Sequence, residues 1–377
     1  MRSIELFSGA GGLALGLEKA GFETVAHFEW NADACATLRQ NRAQWHVIEG
    51  DVRDMQFSGF GPVDLVAGGP PCQPFSMGGK AKGYDDTRDM FPQAVRAVRE
   101  LRPMAFIFEN VRGLMRPAFR NYVEFLRLQM VYPDFPIADA DWEANLSRLQ
   151  KFDNSKGASK TLRYKVTLHQ ANAANYGVPQ LRHRVFFVGF RMDVNSDWFF
   201  PSATHSEVAL RRAQSVTGEY WREHGITRLS PTKTLQTAGL PPNLARWHTV
   251  RDALRGLPPP QKRNSIPGHT FQPGARSYPG HTGSPIDEPS KALKAGDHGV
   301  PGGENMIRFE NDSIRYLTIR EAARIQTFPD DWLLNGSWTE CMRQIGNAVP
   351  VDLAYAVAKS VAERLTPVNA RPLQSAR

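Results

Sequence analysis

Ile4-Glu5-Leu6-Phe7-Ser8-Gly9-Ala10-Gly11-Gly12 is a short apolar run that breaks into glycines, and Leu13 to Ala20 continues it with helical spacing up to Gly21. A strand that ends in a glycine turn and opens a helix is the first unit of an α/β sheet. The glycines let the chain turn tightly and let a ligand approach the backbone. The rhythm repeats downstream. Thr24 to Phe28 reads as a strand ending at Glu29, and Asn31 caps a helix to about Asn41. His46 to Ile48 is a third strand, ending at Gly50-Asp51, and Val63 to Ala67 a fourth. Phe91 to Leu101 reads as a helix, and Ala105 to Phe108 as a fifth strand ending at Glu109-Asn110. This alternation predicts a parallel sheet with helices on both faces and ligands beyond the carboxyl ends of the strands. Gly9 to Gly12, Glu29, Asp51, Cys72 and Glu109 all fall at those ends.

The chain has 377 residues, room for one large α/β domain and a smaller one. A formal charge of +8 favours an anionic partner such as nucleic acid. Cys35, Cys72 and Cys341 are too few and too far apart for a disulfide framework or a zinc site, and suit a reducing compartment. The first residues enter a strand-like run at once, so no signal peptide is expected, and no apolar run is long enough to cross a membrane.

Pro70-Pro71-Cys72-Gln73-Pro74-Phe75-Ser76 holds one thiol between prolines beyond the fourth strand. Proline fixes φ and removes donors, so the backbone around Cys72 is stiff. That placement points to a nucleophile. Glu29 stands where an acidic residue meets ribose hydroxyls, after the loose dinucleotide pattern Gly9-x-Gly11-x-x-Ala14. The pattern does not separate a nicotinamide dinucleotide from S-adenosylmethionine. Trp30 is either a stacking surface for an adenine ring or a core aromatic. Asp51 either accepts from an adenine amino group or caps the next turn. Arg182 and Arg184 alternate along a strand-like run into Val185-Phe186-Phe187-Val188, which places both on one face.

From Met192 to Asp312 proline, glycine and histidine rise and amphipathic period fades, which predicts a loop-rich second domain with little regular structure. Thr318 to Gln326 and Val351 to Leu365 read as helices again. The predicted division is a catalytic and cofactor domain over 1–191, an inserted domain over 192–312, a return segment over 313–366 and a tail over 367–377.

Six segments, in order, resemble the DNA (cytosine-5) methyltransferases of bacterial restriction-modification systems. Phe7 to Gly12 is similar to the family's first cofactor segment, Pro70-Pro71-Cys72-Gln73 to its nucleophile segment and Glu109-Asn110-Val111 to its acid segment. Gln180-Leu181-Arg182-His183-Arg184 resembles its Gln-x-Arg-x-Arg segment. Arg315 to Glu321 is similar to the stretch after the variable region, and Gly346-Asn347-Ala348-Val349-Pro350 to the final segment, which returns to the cofactor pocket. Glu5 departs from the family's usual aspartate.

The resemblance implies a Rossmann-like S-adenosylmethionine-dependent methyltransferase sheet with a smaller, loop-rich target recognition domain. It implies Cys72 as the nucleophile on a flipped cytosine in double-stranded DNA, and Glu109 as the acid at ring N3. Arg182 would face the base, and Arg184 would support the pocket. Phe7, Gly9, Gly11, Gly12, Glu29, Trp30, Asp51, Val52, Pro71, Asn347 and Val349 would hold the cofactor. Ser76, Lys80, Lys82 and Arg88 would meet DNA from a lid after Cys72. No metal is implied. A cytoplasmic monomer is expected, with a restriction endonuclease of the same site as its companion. Arg211, Arg212, Arg222, Lys233, Arg246, Arg251, Lys262, Arg263, Arg276, Lys291 and Lys294 supply the middle region with cations for phosphates and base edges. The alternatives are a tRNA cytosine-5 methyltransferase, a catalytically silent DNA-binding regulator, or a dehydrogenase suggested by the glycine loop alone.

Overall fold

The computed structural model describes residues 1–71, 89–138, 141–194, 197–227, 244–262, 265–295 and 305–366. Eight strands matter to the site: β1 (Arg2–Leu6), β2 (Glu23–Glu29), β3 (Val47–Glu49), β4 (Leu65–Gly68), β5 (Ala105–Val111), β6 (Tyr164–Asn172), β7 (Gln180–Leu181) and β8 (His183–Arg191). Seven of them form one sheet in the order β3-β2-β1-β4-β5-β8-β6, with β7 outside it. The strands from β3 to β5 pair parallel, whereas β8 runs antiparallel to β5, from Ala105↔Phe190 to Val111↔Arg184. The sheet is therefore mixed, not wholly parallel. The order reverses between β1 and β4, and the crevice beyond their carboxyl ends is where such sheets take ligands.

Local signals account for the first helices. Gly11, at φ 88°, opens α1 (Gly12–Lys19), and Asn31 Oδ1 accepts from the Ala34 N–H at 2.8 Å to cap α2 (Ala32–Asn41). The helix α3 spans Phe91–Leu101 as its apolar period predicts. Two helices not read from the sequence follow, α4 (Arg120–Val131) and α5 (Trp142–Asp153). The core includes Phe91, Phe106, Phe108, Phe125 and Phe187, all buried. Each such ring contributes on the order of 2–3 kcal/mol. Gly189 faces the Phe106 ring so closely that a Cβ there would lie 2.3 Å from it.

The chain divides into two compact units, 1–171 with 183–200 and 354–377, and 172–182 with 201–353. The second unit holds α6 (Glu207–Ser215), α7 (Glu219–Glu223), α8 (Val250–Leu254), α9 (Ile319–Ile325) and α10 (Trp338–Asn347). Leu210, Ala213, Tyr220, Trp221 and Trp247 form a local core there. In the middle region, 192–312, the described residues hold three short α-helices, strands of two or three residues and that small core, the rest being irregular. Residues 313–353 group with it, whereas the sequence division assigned them to the first domain. The last helix, α11 (Val351–Leu365), carries the chain into the first unit from Ala354. Among the described residues no helix is long and apolar enough to cross a membrane.

Candidate active site

The loop after β1 is shaped by its backbone. Phe7 holds φ 58° and Gly9 φ 51°. The left-handed conformation costs a non-glycine residue on the order of 1–3 kcal/mol and marks a site held by its surroundings. Glu29, at the end of β2, is the holding group. Its Oε2 accepts from the Gly9 N–H at 2.8 Å, and its Oε1 from the N–H groups of Trp30 at 3.0 Å and Asn31 at 2.9 Å. Burial pushes the Glu29 carboxyl up. The three N–H bonds oppose that shift, and the charge of Glu5 adds to it. Glu29 therefore fastens the glycine loop to β2, a task the sequence reading did not foresee. Glu5 itself is buried with its Oε2 2.9 Å from His27 Nδ1.

Trp30 is 73% exposed, which excludes the core alternative and leaves a free aromatic face at the carboxyl end of β2. Asp51 caps its turn, accepting from the Arg53 N–H at 2.9 Å and from the Arg53 guanidinium at 2.5 Å. The hydrogen bonds from Arg53 hold its carboxyl below the usual range. This is the capping alternative. The Val52 side chain lies in the core, and its carbonyl accepts from Arg96 at 2.7 Å.

Beyond β4 the chain is fixed at its last described residues. Asn110 Nδ2 donates to the Pro70 carbonyl at 3.0 Å, and the Met90 N–H donates to the Pro71 carbonyl at 3.3 Å. Asp89 is buried, accepts from the Phe91 N–H at 3.1 Å and receives the Tyr122 hydroxyl. Residues 70–71 and 89–90 are thereby brought together. Cys72, Ser76, Lys80, Lys82 and Arg88 lie outside the described residues. Glu109, at the end of β5, is 6% exposed. A Cβ at Gly69 would lie 3.2 Å from Glu109 Oε2, so the carboxylate stands directly beside the segment that leads to Cys72. Arg184 Nε, on β8, lies 2.5 Å from Glu109 Oε1, across the Val111↔Arg184 end of the antiparallel ladder. Burial pulls the Arg184 guanidinium down from its usual range, and Glu109 opposes that shift.

Arg182 does not share this strand. The run predicted to carry both arginines breaks at Arg182, between β7 and β8, and Arg182 belongs to the second unit. It is 1% exposed. Its Nη1 donates to the Leu293 carbonyl at 2.9 Å, and its Nη2 to the carbonyls of Gly346 at 2.5 Å and Ala348 at 3.1 Å. Gln180 Oε1 accepts from the Leu293 N–H at 3.1 Å. Gly346 sits so close to the chain at Lys294–Ala295 that a Cβ would lie 2.4 Å from the Ala295 nitrogen. Asn347 is exposed between buried neighbours, and Val349 is buried.

Several cations assigned to DNA are already paired within the second unit. Arg246 binds Asp252 at 2.7 Å and Glu223 at 2.6 Å, and Arg251 binds Asp287 at 2.6 Å and Glu310 at 2.7 Å. Arg211 pairs with Glu288. Burial drives the Asp252 carboxyl up, but the bonds from Arg246 and Thr249 carry it well below its usual range. Arg212, Arg222, Lys262, Arg276 and Lys294 are exposed. Lys233 and Arg263 lie outside the described residues. The other two cysteines are buried. Cys35 is pushed up to about 12 by burial and by the charges of Glu29 and Glu49, and Cys341 packs against the carbonyls of residues 334–336.

The chain is similar to known proteins over nearly its whole length. The profile of C-5 cytosine-specific DNA methylases matches residues 1–130 and 145–363. The Type II methyltransferase M.Eco47II of Escherichia coli is 34% identical over 98% of this chain and 80% of its own. The Type II methyltransferase M.NgoMIV of Neisseria gonorrhoeae is 35% identical over 97% of this chain and 99% of its own. Among solved structures, a DNMT2 mutant of Spodoptera frugiperda shares the fold with a TM-score of 0.57 at 16% identity, covering 97% of this chain and 99% of its own. A sheet with this switch point, a carboxylate–arginine pair beside the cysteine segment, and a family match over nearly the whole length agree: the chain belongs to the C-5 cytosine-specific DNA methylases.

Proposed function

We propose that this protein is the modification enzyme of a restriction-modification system, methylating C5 of cytosine in a specific duplex DNA sequence. The observation that carries the reading is the buried Glu109–Arg184 pair beside Gly69, at the mouth of the segment that runs into Pro71-Cys72. S-adenosylmethionine supplies the methyl group as an electrophilic sulfonium. The chain's residues make cytosine able to take it. The Cys72 thiolate adds to C6, and the ring electrons move towards C5. Glu109, taking up a proton as the base enters, hands it to N3 as that charge develops, and Arg184 holds the carboxylate that results. After transfer water takes the C5 proton, the C6–S bond breaks, the N3 proton returns to Glu109, and the thiolate and the aromatic ring are restored. The target nucleotide rotates out of the stack to reach Cys72.

For the cofactor, the exposed Trp30 offers a stacking face, and the left-handed residues Phe7 and Gly9 follow β1 at the switch point. Glu29 Oε1 is filled by two N–H groups, but Oε2 accepts only that of Gly9, so one ribose hydroxyl can share Oε2 with the loop. Asn347 and Val349 are assigned to the cofactor by the likeness of Gly346 to Pro350 to the family's last segment. The exposed cations of the second unit are proposed for phosphates.

The relatives above 30% identity are Type II methyltransferases, so neither the tRNA enzyme nor the silent regulator is favoured. Incubation with methyl-labelled S-adenosylmethionine and either plasmid DNA or tRNA tests the reading. Label in DNA, at one sequence by bisulfite sequencing, is expected, and Cys72→Ser abolishes it while cofactor binding persists. Because Cys35 and Cys341 are buried, they offer no substitute thiol. Label in tRNA alone, or turnover near wild type in Cys72→Ser, contradicts the proposal.

A further inference from the structure

Gln326 follows α9 and is fully buried. Its side chain and backbone hold three points of the segment that contains Asn347 and Val349. Nε2 donates to the Ile345 carbonyl at 2.6 Å and the Ala348 carbonyl at 3.2 Å, and its own carbonyl accepts from the Val351 N–H at 3.1 Å. Its Oε1 accepts from Gln180 Nε2 at 3.1 Å. The partners fix the amide's orientation, since two carbonyls require a donor and the Gln180 amide requires an acceptor. Arg182 adds its bonds to Gly346 and Ala348 from the same network. With the carbonyls of 345, 346 and 348 engaged, Asn347 is left exposed between buried neighbours.

From this network we infer that Gln326 is a positioning residue of the methyl-transfer reaction, holding residues 345–351 in the shape that presents Asn347 and Val349. The inference rests on the reading that Asn347 and Val349 meet S-adenosylmethionine. A fully satisfied buried polar network specifies one backbone shape, and one lost donor leaves buried carbonyls unpaired. Gln326 would then act on cofactor affinity and not on sequence choice.

Gln326→Met fills the same volume and donates nothing. The expected result is a KM for S-adenosylmethionine raised about three- to tenfold, the range that one or two lost hydrogen bonds produce. The single-turnover rate at saturation and the affinity for target duplex should stay within about twofold, and the methylated sequence should not change. Gln326→Glu sets an acceptor against two carbonyls and should lose more. Should either protein unfold, Gln180→Glu keeps an acceptor for the Leu293 N–H and Arg182, removes the donor to Gln326 Oε1, and should move the same parameter by less. Unchanged cofactor KM in a folded Gln326→Met protein overturns the inference, as does a parallel loss of DNA affinity. A wild-type protein that binds no S-adenosylmethionine would instead contradict the functional reading on which the inference stands.

Discussion

Arg182 and Arg184 are two residues apart, yet the molecule neutralises them in opposite ways. Arg184 meets a carboxylate, Glu109, at the end of the main sheet. Arg182 meets only uncharged acceptors among its described bonds, the carbonyls of Leu293, Gly346 and Ala348 with Gln180. A buried carboxylate–guanidinium pair is charge-balanced and still has lone pairs to offer a base. An arginine spread over carbonyls ties distant chain segments together and offers a ligand little. One pattern of alternating arginines thus contains a residue paired with a carboxylate on the main sheet and a residue bonded to carbonyls in the second unit.

The largest effect should come from the first. Arg184→Met leaves Glu109 without its cation, and the methyl-transfer rate should fall by about a hundredfold or more at saturating cofactor. Arg182→Met should instead act on folding. It strands several buried carbonyls and should destabilise the protein by about 2–4 kcal/mol, read as a lower melting temperature with a smaller loss of rate per folded molecule. A reversal of these two outcomes would break the comparison.

Acid should sharpen the view of the second unit. Burial, followed by the neighbouring His248, lowers the His205 imidazole to about 4, below the usual value of about 6.5. Between those values the unfolded chain binds the extra proton and the folded one does not. This contribution to stability is therefore present above about pH 6.5 and is lost as the pH falls towards about 4. Melting temperatures across that window should decline, and His205→Gln should flatten part of the decline. Burial shifts His224 in the same direction.

The smallest effect separates paired from unpaired surface cations. Arg276 is exposed, whereas Arg251 is held by Asp287 and Glu310. If the second unit contacts phosphates, Arg276→Ala should lower the slope of log affinity against log salt by about 1, and Arg251→Ala should leave it unchanged.

The sequence made local features legible. The strand, glycine turn and helix of Ile4 to Ala20, the Asn31 cap, and the helices Phe91–Leu101 and Val351–Leu365 all depend on neighbours within a few residues. The strands that end at Gly68, before the prolines, and at Glu109-Asn110-Val111 were legible because apolar runs stop there at glycine, proline and carboxylate. What escaped depends on partners far along the chain. The antiparallel insertion of β8 between β5 and β6 is a topological fact without a local signal. The break at Arg182 reflects acceptors more than a hundred residues away, at 293, 346 and 348. Arg246 and Arg251 look free in a polar, loop-rich stretch, and only folding supplies Glu223, Asp287 and Glu310. Gln326 carries no charge and lies at an ordinary helix end, so nothing in its surroundings in sequence marks it.

The most direct test of the account is the single-turnover rate of Glu109→Gln on prebound target DNA at saturating labelled S-adenosylmethionine. The amide keeps the shape and can hydrogen-bond, but it cannot deliver a proton to N3. The account predicts a rate at least about a hundredfold below wild type, with DNA affinity changed by no more than a few fold. A rate close to wild type, with the loss confined to DNA affinity, would make Glu109 a positioning residue and contradict the chemistry assigned to the Glu109–Arg184 pair.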